Sequence, residues 1–150
     1  MIAKKYAVLA AVAACALALP LVGSTKHPVQ RPFSMKGEMV ISLDTTDGSF
    51  VASPNCGVAT HVGRFTNFAL GWMNSDLEII YAEGTLTAAN GDQVFWTESD
   101  PTWLDVEGGT GRFQNVTGRV AWVFSPTDYV VEGNIMTIYG TYTGEGTVTY

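Results

Sequence analysis

Hydrophobic and polar residues alternate along much of the chain from residue 33 onward. This period of two is typical of β-strands that bury one face. In a later stretch, Gln93, Phe95 and Thr97 share one face and Val94 and Trp96 share the other. Because no stretch after residue 32 repeats every 3.6 residues, the pattern predicts strands rather than helices. The first predicted strand is apolar on one face, at Phe33, Met35, Met39, Ile41 and Leu43.

Turn-forming residues separate the alternating stretches. Clusters of Asp, Ser, Asn and Pro lie at residues 44–49, 53–55, 100–101 and 125–126. The strongest hairpin signal is Asn90-Gly91, because a type I′ turn needs positive φ at both central positions. The predicted strands are Phe33–Leu43, residues 57–73 as one bent strand, Leu77–Ala88, Gln93–Glu98, Trp103–Val106, Val120–Phe124, Val130–Tyr139 and Thr141–Tyr150.

The number and spacing of these strands indicate a sandwich or a barrel. The last predicted strand runs to Tyr150, and closure of a sheet into a ring removes its exposed edges. The large side chains for the interior are supplied by Trp72, Trp96, Trp103 and Trp122. We therefore predict an all-β fold, namely a single antiparallel β-barrel of about eight strands.

The first 24 residues have the organisation of a secretory signal peptide. Lys4 and Lys5 precede an apolar run over residues 6–19, and small residues follow. The run is shorter than the roughly 20 apolar residues that a membrane-spanning helix needs. Cleavage is predicted after Ser24, with Ala18 as an alternative site. The protein is therefore expected to be exported, either secreted or periplasmic, without stable membrane insertion.

The same segment has a second interpretation as a bacterial lipoprotein signal. The run ending at Cys15 resembles a processing site at which the cysteine is lipidated, but the apolar residues 16–22 that follow favour the ordinary signal peptide. Residues 25–32 carry two prolines and several polar residues, which predicts a flexible leader. The barrel domain is accordingly predicted over residues 33–150.

Composition narrows the range of partners. The chain has eight Lys and Arg against 14 Asp and Glu, a formal net charge of −6. Because an acidic surface repels phosphate backbones, nucleic acid is disfavoured as a partner. Cys56 is the one cysteine after the signal segment, and we expect it to be buried or in a loop rather than nucleophilic. With two histidines in the chain, neither a metal site nor a cofactor is predicted.

Several acidic clusters are candidate chemical sites. Glu98 with Asp100, and Asp105 with Glu107, are pairs spaced two residues apart next to turns, where solvated acids are expected. A glycosidase would need such carboxyls to flank a cleft. The run from Asp44 to Gly48 resembles a calcium turn but lacks the distal ligand, which favours a polar turn.

A short motif occurs twice in the chain. Gly-Arg-Phe-x-Asn stands at residues 63–67 and again at residues 111–115, which predicts two equivalent corners of the barrel. We expect the glycines to adopt angles that a Cβ would block, the phenylalanines to point inward, and the arginines to bond carbonyls or acids such as Asp105 and Glu107. Alternatively, the arginines clamp a ligand carboxylate. The structural set is Gly63, Arg64, Phe65, Gly111, Arg112 and Phe113.

The second copy of the motif supports a resemblance to a known family. Residues 108–113, Gly-Gly-Thr-Gly-Arg-Phe, together with Gly118, resemble a segment of the allene oxide cyclase and dirigent-like β-barrels. Residues 59–65 and 144–150 resemble segments of small secreted bacterial proteins of uncharacterised function. The resemblance implies the barrel fold, and it identifies no catalytic residue in this chain.

Three functions remain open at this stage. The first is a non-catalytic module that holds a small apolar molecule inside the barrel. The second is a cyclase- or isomerase-type enzyme, which requires a polar group that faces inward. The third is a structural or interaction protein of the cell envelope with a solid interior and an exposed aromatic patch. The candidate ligand-binding residues are His61, Glu83, Trp96 and Trp122.

Overall fold

The computed structural model describes residues 27–150, which form a closed antiparallel β-barrel of eight strands. Each strand pairs with the next along the chain, and β8 pairs with β1 to complete the ring. The predicted all-β barrel is therefore confirmed, whereas the predicted signal peptide over residues 1–24 lies outside the described residues. The elements are β1 (Gln30–Asp44), β2 (Ser49–Ala59), β3 (Gly63–Met73), β4 (Ile79–Ala88), β5 (Gln93–Asp100), β6 (Trp103–Gly109), the 3₁₀ turn η1 (Gly111–Phe113), β7 (Thr117–Glu132) and β8 (Ile135–Thr149).

The period of two in the sequence produces the core. All five apolar residues that share one face of β1 are buried, and Ile41 is 1% exposed. On β5, Val94 and Trp96, which share one face, both point inward. The inward faces of the eight strands meet around a residual void of about 20 Å³, which holds no more than one or two water molecules. The half of the barrel around this void is therefore filled by side chains.

Strand boundaries differ from the prediction where turn signals were misread. Residues 57–73 form two strands rather than one, because the chain turns at residues 60–62, where His61 has φ 66°. Conversely, β7 continues through Ser125-Pro126, which was predicted to be a turn. A proline is tolerated there because β7 has no neighbouring strand on that side. The predicted strand Val130–Tyr139 contains a two-residue turn at residues 133–134.

The hairpin predicted at Asn90-Gly91 is present, but its turn type differs. β4 ends at Ala88 and β5 begins at Gln93, so four residues connect them. Gly91 has φ 88°, while Asn90 is not among the residues with positive φ, so a type I′ turn is excluded. The barrel also begins three residues earlier than the predicted boundary at residue 33, because β1 starts at Gln30 and pairs there with Thr149.

The two ends of the barrel, the closed end and the open end, differ in how completely they are covered. The closed end carries η1, the β2–β3 turn and Tyr150, whose backbone bonds Val29 in both directions at 3.2 Å. The open end carries the β1–β2, β3–β4, β5–β6 and β7–β8 connections. No helix within residues 27–150 has the length and apolar character needed to cross a bilayer.

Candidate functional site: the open-end groove

A broad groove lies at the open end because neighbouring strands differ in length. β7 has 16 residues and β6 has seven, and β6 pairs with β7 only at residues 118–121. One further bond joins Trp122 N to Thr102 O at 3.1 Å. Beyond it, residues 123–132 of β7, the overhang, pair only with β8 within the described chain. The space beside the overhang is a groove of about 1060 Å³.

The walls of the groove are mainly hydrophobic. The overhang contributes Phe124 and Tyr129 to one wall, and Leu77 of the β3–β4 connection with Ile79 at the start of β4 contributes to the other. Tyr129 is 64% exposed and Leu77 is 50% exposed. Large apolar side chains grouped in a concavity at this exposure are typical of a binding surface.

The pairing of β7 with β8 shows that the apolar wall of the groove continues along the overhang. Tyr129 lies opposite Ile138, and Val131 lies opposite Met136. Ile138 and Met136 both line the groove. Because paired residues share a face of the sheet, Tyr129 and Val131 lie on the groove side of the β7–β8 hairpin. Tyr139, the neighbour of Ile138 along β8, lies on the opposite side.

Trp122, which lines the groove, forms a buried pair with the carboxyl of Glu98. The indole Nε1 donates to Oε1 of Glu98 at 3.0 Å. Glu98 is 1% exposed, and its Oε2 has no hydrogen-bond partner within residues 27–150. A carboxylate with one unpaired oxygen in an apolar interior is costly, so the neutral form is favoured.

The pKa of Glu98 reflects this position. Burial raises the pKa to about 7, the hydrogen bond from Trp122 acts to lower it, and the negative charge of Asp100 acts to raise it. Glu98 therefore gains or loses its proton near neutral pH. A carboxyl of this kind beside a concavity is typical of functional sites.

Other polar groups also lie in the interior. Asn67 Oδ1 accepts from Trp96 Nε1 at 3.3 Å, and Asn55 Oδ1 accepts from Val40 N at 2.7 Å. The Tyr142 hydroxyl is buried without a partner in the described part of the chain, and burial raises its pKa. The interior is thus filled but not wholly apolar.

Charge separates the two ends of the barrel. The five Lys and Arg residues of the described chain all lie in the half nearer the closed end. Two of them form ion pairs, Arg112 with Asp92 at 3.6 Å and Arg119 with Asp105 at 3.0 Å. Neither pair involves the acids of the open end. These open-end acids are Asp44, Asp47, Asp76, Glu78, Asp100, Asp128 and Glu132.

Comparison of the chain with protein-family models, curated proteins and solved structures finds no match. The resemblance to the cyclase and dirigent-like barrels stays a prediction.

The four residues predicted to bind a ligand lie at separate places. His61 is exposed in the β2–β3 turn at the closed end, with Nε2 3.1 Å from Pro32 O. Glu83 lies on the outer face, where its carboxylate accepts from the Tyr81 hydroxyl at 2.8 Å. Glu83 and Trp96 both border a shallow depression of about 260 Å³. Of the four residues, Trp122 alone lines the groove.

Glu98 was misplaced by the sequence interpretation. It was grouped with Asp100 as a solvated pair beside a turn, but only Asp100 is exposed. The signal was present in the alternation of β5, since Glu98 continues the inward face of Val94 and Trp96 at a spacing of two.

The glycines and phenylalanines of the repeated motif lie as predicted, whereas the arginines do so only in part and the two copies are not equivalent. Both glycines have positive φ, 79° at Gly63 and 55° at Gly111, and both phenylalanines are buried. However, the first copy begins β3, whereas the second forms η1, so the two corners are not equivalent. The copies meet through Arg112, whose Nη2 donates to Val62 O at 3.1 Å. Its acidic partner is Asp92, not Asp105 or Glu107.

Cys56 is exposed on β2, so the prediction of a buried or loop position is wrong. The Asp44–Gly48 segment is a polar turn as predicted, in which Asp44 Oδ1 accepts from Thr46 N at 2.8 Å. Within residues 27–150, no three His, Cys, Asp or Glu side chains are grouped to hold a metal.

Proposed function

We propose that this protein is a non-enzymatic binding module that holds an apolar ligand in the open-end groove. The observation that carries the proposal is the contrast between the filled interior, with a void of about 20 Å³, and the groove, with about 1060 Å³. Ligand-binding concavities commonly measure about 300–1,000 Å³. The ligand therefore sits at the mouth of the barrel rather than inside it.

The chemistry of the groove supports an apolar ligand. Phe124, Leu77, Ile79 and Tyr129 present hydrophobic surface on both walls, and Trp122 also lines the groove. Covering such surface releases about 25 cal/mol per Å² removed from water. Because the core of the barrel is already packed, the ligand can bind without rearranging it.

A neutral apolar dye tests the proposal directly. Nile red has no negative charge to be repelled by the open-end acids, and its emission rises in apolar surroundings. We expect it to bind wild-type protein and to bind Tyr129→Ser about 5- to 10-fold more weakly, because that variant removes part of the groove wall.

Tyr139→Ser is the matched control, since Tyr139 lies on the opposite face of the same hairpin and is 42% exposed. We expect its affinity for the dye to stay close to that of the wild type. Absence of dye binding, or equal loss in both variants, would contradict a ligand site in the groove.

The buried carboxyl favours a second candidate, an enzyme of the cyclase or isomerase type. Glu98 supplies the inward-facing polar group that such an enzyme requires, and its pKa of about 7 suits proton transfer near neutrality. Against this, Glu98 is 1% exposed and its indole partner lines the groove. A substrate would reach the carboxyl only after Trp122 moved, so the binding module is preferred.

A further inference from the structure

We infer that the ligand of the groove is an extended, basic segment of another polypeptide that adds a strand to the overhang of β7. This inference rests on the proposed function, because it names the class of ligand for the same groove. It draws on three further observations: the unpaired backbone of the overhang, the early end of β6, and the charge of the open end.

The backbone of the overhang offers hydrogen-bonding groups that no described strand uses. The two-residue turn places Glu132 opposite Ile135, and residues that flank such a turn bond each other across the hairpin. Since bonding direction alternates along a strand, the N–H and C=O groups of Tyr129 and Val131 point away from β8. They therefore point toward the groove side of the sheet edge.

The usable edge is short. Pro126 has no N–H group to offer, and the register of β7 against β8 shifts between Pro126 and Asp128. Prolines and bulges on an edge are devices that limit uncontrolled strand pairing. Beyond the bulge, residues 128–132 continue with regular pairing to β8. This stretch is the part of the edge that can accept another strand.

An added strand would occupy the place where β6 stops. β6 begins at Trp103 opposite Ala121, so the sheet lacks a strand beside the rest of β7. A segment paired with residues 128–132 would continue the barrel wall. Its alternate side chains would enter the groove beside Tyr129 and Val131, and the others would face solvent. Strand addition thus uses both the open backbone and the apolar wall.

Charge selects the partner. Seven carboxylates surround the open end, and the described Lys and Arg residues lie toward the other end. A basic segment is attracted to this end, whereas an acidic one is repelled. A second copy of this chain paired through the same edge would bring two acidic ends together. The charge therefore favours a different, basic polypeptide over self-association.

The test uses a designed probe, a capped peptide of about ten alternating Lys and Val residues, which is long enough to span the overhang at about 3.3 Å per residue. An alternating Glu and Val peptide is the charge control. We expect the Lys–Val peptide to bind the purified protein, and the Glu–Val peptide to bind at least about 10-fold more weakly.

Residue-resolved hydrogen exchange then reports the binding mode. The amides of Tyr129 and Val131 are expected to exchange at least about 10-fold more slowly in the complex.

Val131→Pro separates this inference from the proposed function. The substitution removes an N–H that points away from β8. Val131 faces the groove side but is not among the residues that line the groove, and proline keeps an apolar side chain there. We expect Val131→Pro to weaken the Lys–Val peptide at least about 10-fold while leaving Nile red binding within about 2-fold of the wild type. Retained dye binding also shows that the variant is folded.

The outcomes divide cleanly. Loss of peptide binding in Val131→Pro, with slowed exchange at Tyr129 and Val131 in the wild type, supports strand addition. Dye binding without peptide binding, equal binding of both peptides, or unchanged exchange at the two amides overturns the inference and leaves a small apolar molecule as the ligand. Failure of the wild type to bind the dye removes the proposed function itself.

Discussion

The closed and open ends of this barrel are made from the same eight strands, but side chains fill the first and a groove opens at the second. At the closed end, Phe113 of η1 is buried with 1% of its surface exposed, and the adjacent void measures about 20 Å³. At the open end, β7 runs past its neighbour and leaves a groove of about 1060 Å³. The basic residues of the described chain lie toward the first end, and seven acids surround the second.

This difference shows that strand length decides where a barrel is filled. Side chains close the interior wherever every strand has two neighbours, because each inward residue then meets partners from both sides. Where β6 stops and β7 continues, Tyr129 and Val131 remain exposed although they belong to the inward series. Both halves contain buried core, since Leu43 and Phe50 near the open end are 2% and 5% exposed. The groove lies at the open end alone, so we expect binding to reside there.

The largest expected effect comes from opening the closed end. Phe113→Ala removes a fully buried ring and leaves a cavity that the surrounding strands cannot fill. We expect the free energy of unfolding to fall by about 4 kcal/mol, measured by urea denaturation. The affinity for Nile red in the groove should change little at temperatures where the variant remains folded.

Phe68→Ala is the matched control for that substitution. Phe68 lies on the outer face of β3 and is 48% exposed, so its removal should lower the free energy of unfolding by about 1 kcal/mol or less. Equal losses in the two variants would contradict the packing of Phe113 in a filled core at the closed end.

The next effect is the pH dependence of stability that comes from Glu98, which lies between the core and the groove. The pKa of Glu98 is raised from 4.5 to about 7 in the folded protein. Between these values the folded state holds a proton that the unfolded state has lost, so stability decreases as pH rises through this range. Glu98→Gln does not titrate. We expect the free energy of unfolding of Glu98→Gln, minus that of the wild type, to increase by about 3 kcal/mol as pH rises from about 4 to about 8.

The measurement is urea denaturation of both proteins across this pH range. Contributions from the other carboxyls cancel in the difference between the two proteins. Asp100→Asn serves as the control, because it removes a negative charge that raises the pKa of Glu98 but leaves the buried carboxyl in place. Its pH dependence should be slightly shallower than that of the wild type. A flat difference between wild type and Glu98→Gln would show that Glu98 is not held neutral.

The closed half was largely predictable from sequence because its information is local. Alternation identified the buried face of β1, and the motif identified Phe65 and Phe113 as inward plugs. The same local information placed Glu98 inward, but its position beside Asp100 and Pro101 suggested solvent. Glu98 was predicted to be exposed because it is charged, although its spacing of two residues from Trp96 places it on the inward face.

The open-end groove was not predictable, because it depends on differences in strand length. Ser125-Pro126 was interpreted as a turn, since proline usually ends a strand. On an unpaired edge the missing N–H has no consequence, so β7 continues to Glu132. That continuation brings Tyr129 opposite Ile138. Only pairing between distant segments reveals that β6 ends where β7 does not.

The smallest effect distinguishes the two arginines of the repeated motif. Arg112 donates from Nη2 to Val62 O at 3.1 Å and ties η1 to the β2–β3 turn, whereas the side chain of Arg64 forms no hydrogen bond or ion pair within residues 27–150. We expect Arg112→Met to lower the free energy of unfolding by about 1 kcal/mol. The half-exposed ion pair with Asp92 adds little to this loss. Arg64→Met should change the free energy of unfolding by less than about 0.5 kcal/mol. Thermal unfolding of the two variants provides the comparison. Equal losses of unfolding free energy would mean that the two copies contribute equally to stability. That result would contradict a specific role for the hydrogen bond from Arg112 to Val62.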